Sequence, residues 1–316
     1  MPTTWSRRGF LAATAGLTLL AACSPQKPGE VADDGSVLVR HLFGDTTVPG
    51  PPRRVLSAGF TGHDDLLALG VVPIATTEWF GNEPFAVWPW AQPRLGTAQP
   101  AVLSLADGIQ VNAIAALAPD LIVATNAGLD ADTYAALSAI APTIAQPGPD
   151  AFFGPWRDQA TVIGQALFQT DTMTELIAEV DNRFQAVATA NPRFGGKTAL
   201  LLGGSLFRGG VQPHTGWRTD FLTQMGFTVP ATPEWIPHDD IAGVLDATDV
   251  LIWTTDSDQQ RAALLADPAI AELTATTRER HVFTPKELAG AIAFASPLSY
   301  PVVADQLPPL LAQTLT

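Results

Sequence analysis

Between residues 172 and 190 the chain reads TMTELIAEVDNRFQAVATA, and Leu176, Ile177, Val180, Phe184 and Val187 recur there at steps of three and four. That period lines the apolar residues along one face of a helix. Thr172 with Glu175 three residues on offers a capping box, while Asn191-Pro192 and then Gly195-Gly196 offer a stop. On both sides of this helix, short apolar runs alternate with helical segments. Strands that alternate with helices form parallel sheets covered on both faces. The expected fold is α/β: two lobes with mostly parallel sheets, joined by a single long helix, with a ligand held between the lobes.

In chain order the pattern predicts a hairpin over 37–40 and 44–52, then strands over 54–58, 72–76, 121–125 and 143–146. Helices are expected over 64–69, 111–117 and 132–141. Beyond the central helix come strands over 198–202, 250–254 and 281–284. The helices there fall over 219–225, 239–245, 259–273 and 299–314. The implied division is 37–171 for the N-terminal lobe, 172–191 for the linking helix and 192–316 for the C-terminal lobe.

The first 22 residues read differently. Ser6-Arg7-Arg8-Gly9-Phe10-Leu11 is a twin-arginine pattern leading into an apolar run that ends Leu20-Ala21-Ala22-Cys23. A run of about fourteen residues is shorter than the roughly twenty a helix needs to span a bilayer. Residues 1–22 are therefore expected to be a signal, with the small residues before Cys23 marking cleavage. Such a segment resembles bacterial lipoprotein signals, which implies that Cys23 becomes the N-terminus and carries a lipid. Residues 23–36, poor in apolar groups, read as a flexible tether.

Composition excludes several classes. In a chain of 316 residues, 47% hydrophobic content supplies packed cores. The net charge is −14, and −16 without residues 1–22, which hold Arg7 and Arg8 and no acids, so nucleic acid is not an expected partner. One cysteine allows no internal disulfide. A Walker loop and a dinucleotide fingerprint are absent, and Gly203-Gly204-Ser205-Leu206-Phe207 lacks the closing glycine of a nucleophile elbow. The five histidines are far apart, none at metal-ligand spacing from another. Neither a catalytic group, a metal site nor a cofactor is expected.

In sheets of this kind the ligand crevice lies beyond the carboxyl ends of the strands. The segments there are rich in aromatics: TEWFGNEPFAVWPW over 77–90, Phe152-Phe153 and Trp156, and GGSLFRGGVQPHTGW over 203–217. Any one ring can simply pack its lobe, but so many in glycine- and proline-rich loops point to a binding surface. The residues expected to meet ligand are Phe60, His63, Trp79, Phe80, Phe153, Trp156, Phe207, Arg208, His214, Trp217 and Tyr300.

The stretches RRVLSAGFTGHDDLLALGVVPIAT, NAIAALAPDLIVAT and YAALSAIAPTIAQ resemble the solute-binding lipoproteins that deliver ferric siderophores, haem or cobalamin to ABC importers, the class III periplasmic binding proteins. The likeness spans about 55–190 and is looser beyond, resting there on 246–253 and the final helix. It implies a lipid-anchored monomer on the extracytoplasmic face of the membrane that binds an iron chelate and docks on a permease. Where the family carries a docking glutamate this chain has Asn112, with Glu78 or Glu83 as substitutes, and the second docking contact falls on Asp239 or Asp240. A bound haem would need an axial ligand, for which His63, His214 and Tyr300 are available. Arg157, Arg208 and Arg218 are available to meet the anionic oxygens of a siderophore. A hydrolase on the same scaffold and a non-transporting surface scaffold stay open as alternatives.

Overall fold

The computed structural model describes residues 26–315. The twin-arginine segment and Cys23 lie outside the described residues. Residues 26–36, expected as a free tether, pack on the body instead. The Gly29 amide donates to the Leu38 carbonyl, the Thr170 hydroxyl donates to the Gly29 carbonyl, and Val31 forms a bridge to Val37. Backbone hydrogen bonds order a segment that lacks apolar side chains to do so.

Five parallel strands form the N-terminal sheet, in the order Ala101–Ser104, Ala75–Glu78, Val55–Ser57, Leu121–Val123, Thr143–Ile144. The chain steps outward from Val55–Ser57 to one side and then returns to its other flank. The direction of winding thus reverses beside this strand, and a crevice opens at its carboxyl end. Three parallel strands form the second sheet, Ala199–Gly203, Val250–Thr254 and His281–Phe283. The linking helix runs from Thr170 to Ala190, beginning two residues before the expected start. Its first turn has no side-chain cap, so the Thr172 capping box does not form. Side chains do cap helices at Asp130, Ser257 and Asp267.

Alternation along the strands divides the core. Val55, Leu121 and Val123 face inward with Leu201, Val250 and Ile252, meeting Val180 and Phe184 of the linking helix and Val303, Leu307 and Leu311 of the last helix, Ser299–Thr314. Their neighbours point the other way: Leu56 and Ile122 into one outer cluster, Leu200, Leu202, Leu251 and Trp253 into another. Successive side chains on a strand lie on opposite faces, so each sheet is covered twice. The inward cluster is continuous through both lobes, which makes the linking helix part of a shared core.

Several elements differ from expectation, among them the helix Trp156–Ala166 and the short strands Gly210–Val211 and Ile236–Pro237, none of which the sequence pattern predicts. Ala101–Ser104 is an edge strand with only Leu103 buried, too exposed to show an apolar run. Lys286–Phe294 is a helix buried almost all round, so its sequence shows no polar face. The helix expected over 259–273 breaks into Asp258–Ala266 and Pro268–Ala271, because Pro268 lacks the amide needed to continue and Asp267 caps the new turn.

Candidate functional site: an interlobe cleft

The strand ends meet around a cleft of about 490 Å³. Trp79, Phe80 and Phe153 of the N-terminal lobe form one wall. Gln212, His214, Thr215, Arg218, Glu234, Thr254 and Asp256 form the other. Ala289, Ile292 and Ala293 of the helix Lys286–Phe294 supply an apolar floor.

The aromatic wall is built ring upon ring. Trp79 lies 5.4 Å from Phe60, 5.0 Å from Phe153 and 4.7 Å from Phe80, centroid to centroid, within the range of favourable aromatic pairs. Buried Asn126 organises its backbone. Its side-chain oxygen accepts from the Phe153 amide, its side-chain NH₂ donates to the Thr61 hydroxyl, and its carbonyl accepts from the Phe60 amide. The loop carrying Trp79 and Phe80 is pinned to the opposite lobe, where the Lys286 ammonium donates to the Gly81 carbonyl and to Glu83, each at 2.7 Å.

The polar wall rests on the loop after Ala199–Gly203, which folds back on that strand. The Gly203 amide donates to the Gln212 carbonyl and the His214 amide to the Leu201 carbonyl. His214 thereby stands at the cleft, where burial first and the Arg218 charge second push its pKa down to about 4. At neutral pH it is an uncharged ring. The Arg218 guanidinium lies 4.8 Å over Phe153 and 5.0 Å over Trp217, and among the described residues no carboxylate reaches it within ion-pair distance. Burial lowers its pKa, with the Tyr300 and Asp150 charges opposing. A stacked guanidinium without a carboxylate partner keeps its donors for a ligand oxygen.

Of the eleven expected ligand residues, Trp79, Phe80, Phe153 and His214 line the cleft. Phe60 and Trp217 back it through ring contacts. Phe207 and Arg208 line an outer pocket that shares Gln212 and Glu234 with the cleft, their side chains 5.0 Å apart. His63, Trp156 and Tyr300 are corrected: all three are buried, with Tyr300 packed on Trp156, Phe184 and Phe221 in the shared core. Only His214 of the three residues considered for haem ligation reaches the cleft. Arg157 is also corrected, since it pairs with Asp181 and, at 3.8 Å, with Asp220. Glu83 is taken by Lys286 and is not free as a docking acid. Asp239 and Asp240 are exposed just ahead of the helix Ile241–Leu245, as is Asn112 at the start of Val111–Ala116.

Sequence reasoning missed Gln212, Glu234, Thr254 and Asp256 as cleft residues. Thr254 and Asp256 stood at the carboxyl end of a predicted strand, the place where ligand groups gather, so a signal was present. Glu234 carried none. Among the described residues, no group of three or more His, Cys, Asp or Glu is placed to hold a metal ion, and no helix is long and apolar enough to cross a membrane.

Comparison with known proteins places this architecture. A periplasmic solute binding protein from Mycobacterium smegmatis is 71% identical, and its crystal structure matches with a TM-score of 0.89 over 90% of this chain and all of that one. PiaA of Streptococcus pneumoniae, solved in complex with ferrichrome, shares the fold at 24% identity with a TM-score of 0.74 over 88% of this chain and 98% of that one. The Bacillus subtilis protein named probable siderophore-binding lipoprotein YfiY is 31% identical over 172 residues. That match covers 52% of this chain and spans half the relative's length. The periplasmic binding protein family matches residues 56–288, from the first strand of the N-terminal sheet to the helix that floors the cleft, and the chain belongs to that family.

Proposed function

We propose that this protein is an extracytoplasmic solute-binding protein that takes a ferric siderophore into the interlobe cleft and hands it, as a monomer, to the permease of an ABC importer. It is a binding protein rather than an enzyme, and it uses no catalytic cofactor. The observation that carries the reading is the cleft: an aromatic wall facing a polar wall with a carboxylate-free arginine, between lobes that share one helix and one core. Apolar lining with a few placed polar groups is the usual make-up of a small-molecule site. The names of YfiY and of the ferrichrome complex of PiaA support an iron chelate as the ligand. In this reading residues 1–22 are a signal, lipid on Cys23 holds the protein to the membrane, and residues 37–171 and 192–316 are the lobes. Exposed Asp239 and Asp240 meet basic residues of the permease.

Titration of tryptophan emission with a panel of ferric hydroxamates, ferric catecholates and haem tests the reading. Saturable quenching by at least one iron chelate, with the chelate recovered chemically unchanged, is the expected result. A flat response across the whole panel overturns it.

A further inference from the structure

The reading above leaves the class of siderophore open, and the charges around the cleft narrow it. Arg218 is the one base lining the cleft among the described residues, against two acids, Glu234 and Asp256. Asp150 adds a further negative charge felt by Arg218. His214 contributes none at neutral pH. Of the nearby bases, Arg157 is committed to Asp181 and Asp220 and Lys286 to Glu83, while Arg261 stacks over Phe283 in a neighbouring pocket that adds Asp258 against it. Arg208 sits in the outer pocket, where Glu234 also lies. Counting it brings the formal balance of Arg218, Arg208, Glu234 and Asp256 to zero at most. The whole chain carries −14, so no distant positive field offsets this.

Ferric chelates differ in what this balance does to them. Three hydroxamate monoanions neutralise ferric iron, and an amine on the ligand makes the complex cationic. Three catecholate dianions leave the complex triply negative. A site for such a trianion needs several unpaired cations converging on it, because a highly charged ligand leaving water must find opposite charge inside. A cleft with one arginine facing two carboxylates rejects it, and that rejection is a source of specificity as much as any attractive contact. The aromatic wall suits the neutral complex, whose hydrocarbon linkers pack on Trp79, Phe80 and Phe153 while Arg218 donates to one chelate oxygen.

We infer that the cleft selects neutral or cationic ferric complexes of the trihydroxamate class over anionic tricatecholate complexes. The inference rests on the chelate-binding reading, and one experiment separates the two. Full-length protein in low-salt buffer at pH 7 is titrated with a ferric trihydroxamate and a ferric tricatecholate, following tryptophan emission. The trihydroxamate is expected to bind at least about tenfold more tightly, with the ratio shrinking at about 1 M salt as screening sets in. Glu234→Gln combined with Asp256→Asn removes both acids and is expected to close the ratio by about fivefold or more through tighter tricatecholate binding. A tricatecholate that binds as tightly as the trihydroxamate, or a ratio the double substitution leaves untouched, overturns this inference alone. Saturation by neither chelate overturns this inference, and a flat response across the whole panel, haem included, overturns the reading it rests on as well.

Discussion

The two walls of the cleft solve one problem with different materials. The N-terminal wall is rings stacked on rings, on loops whose backbone turns left-handed at Asn82, Phe85, Ala86 and Phe153. The C-terminal wall is polar side chains, and the backbone of the loop carrying Gln212 and His214 is hydrogen-bonded to the first strand of its own sheet. Stacking tolerates many partners, since any flat or apolar surface satisfies it. Hydrogen-bonding and charged groups do not, because a misplaced partner leaves them unsatisfied. On the proposed reading, the contrast assigns affinity to the first wall and selection to the second.

Under these different surfaces the lobes use one backbone device. Each first strand exits into a glycine pressed against the end of the neighbouring strand. A Cβ on Gly59 would stand 1.8 Å from the Thr125 carbonyl oxygen, and one on Gly204 2.2 Å from that of Thr254. No side chain fits at either contact, so the two strands close only around glycine. This equivalence is invisible as a sequence repeat. The strongest test of it is Gly59→Ala and Gly204→Ala, made separately, each expected to lower stability in urea unfolding by about 3 kcal/mol, the upper range for overpacking. A neutral result in one lobe alone would break the equivalence.

Both lobes bury histidines, but the N-terminal lobe also buries a pair of carboxylates, which adds a pH response of opposite sign. On the helix Gly62–Ala68, burial raises Asp64 from 3.8 to about 6, while the Ser296 hydroxyl and the Trp90 indole donate to its carboxylate. Burial and the Asp64 charge raise Asp65 further. The folded protein thus holds protons there that the unfolded chain has released. Stability is full below 3.8 and lost as pH rises through about 6. Burial also lowers His63 on that same helix and, in the other lobe, His214 and His281 from 6.5 to about 4, so their contribution is present above 6.5 and lost as pH falls toward 4. Asp64→Asn removes the first effect and keeps an acceptor for Ser296 and Trp90. Relative to wild type it should gain up to about 3 kcal/mol between pH 4 and pH 8, at 1.36 kcal/mol per unit. An equal effect at both pH values would show that Asp64 is not held protonated by the fold.

Ligand affinity should divide along the same line. Trp79→Ala is expected to weaken every chelate that binds by about 2 kcal/mol, some thirtyfold, because it removes the centre of the aromatic wall. Arg218→Met keeps the stacking and removes only the donors, and should cost different chelates different amounts, about tenfold for those with an oxygen in reach. Uniform losses from Arg218→Met would erase the division between affinity and selection.

The smallest effect belongs to the contact that crosses the cleft. The Lys286 side chain is 47% exposed, so the Lys286→Met change should alter stability by less than about 1 kcal/mol. Its effect should appear in kinetics, as release of bound chelate about two- to fivefold faster by stopped-flow once the Trp79 loop loses its anchor. Unchanged release would mean that the aromatic loop holds its position unaided.

Much of this fold is local in origin. The strand Val250–Thr254 and the helix Ser299–Thr314 match their sequence-derived limits, because an apolar run and a helical period are properties of consecutive residues. The aromatic loops were legible for a related reason: rings in glycine- and proline-rich segments at strand ends have no local core to fill. What the residues could not show is direction. Tyr300, Trp156 and His63 looked as available as Trp79, yet the packing of the lobes on the shared core turned them inward. Glu234 and Asp256, unremarkable in sequence, were placed at the cleft. A side chain's surroundings depend on elements distant in the chain, as Asp64 depends on Ser296. The sequence by itself determined an α/β chain of two lobes joined by one long helix, with aromatic strand-end loops. Which wall carries charge, and of which sign, was decided only when the two lobes closed on a common core.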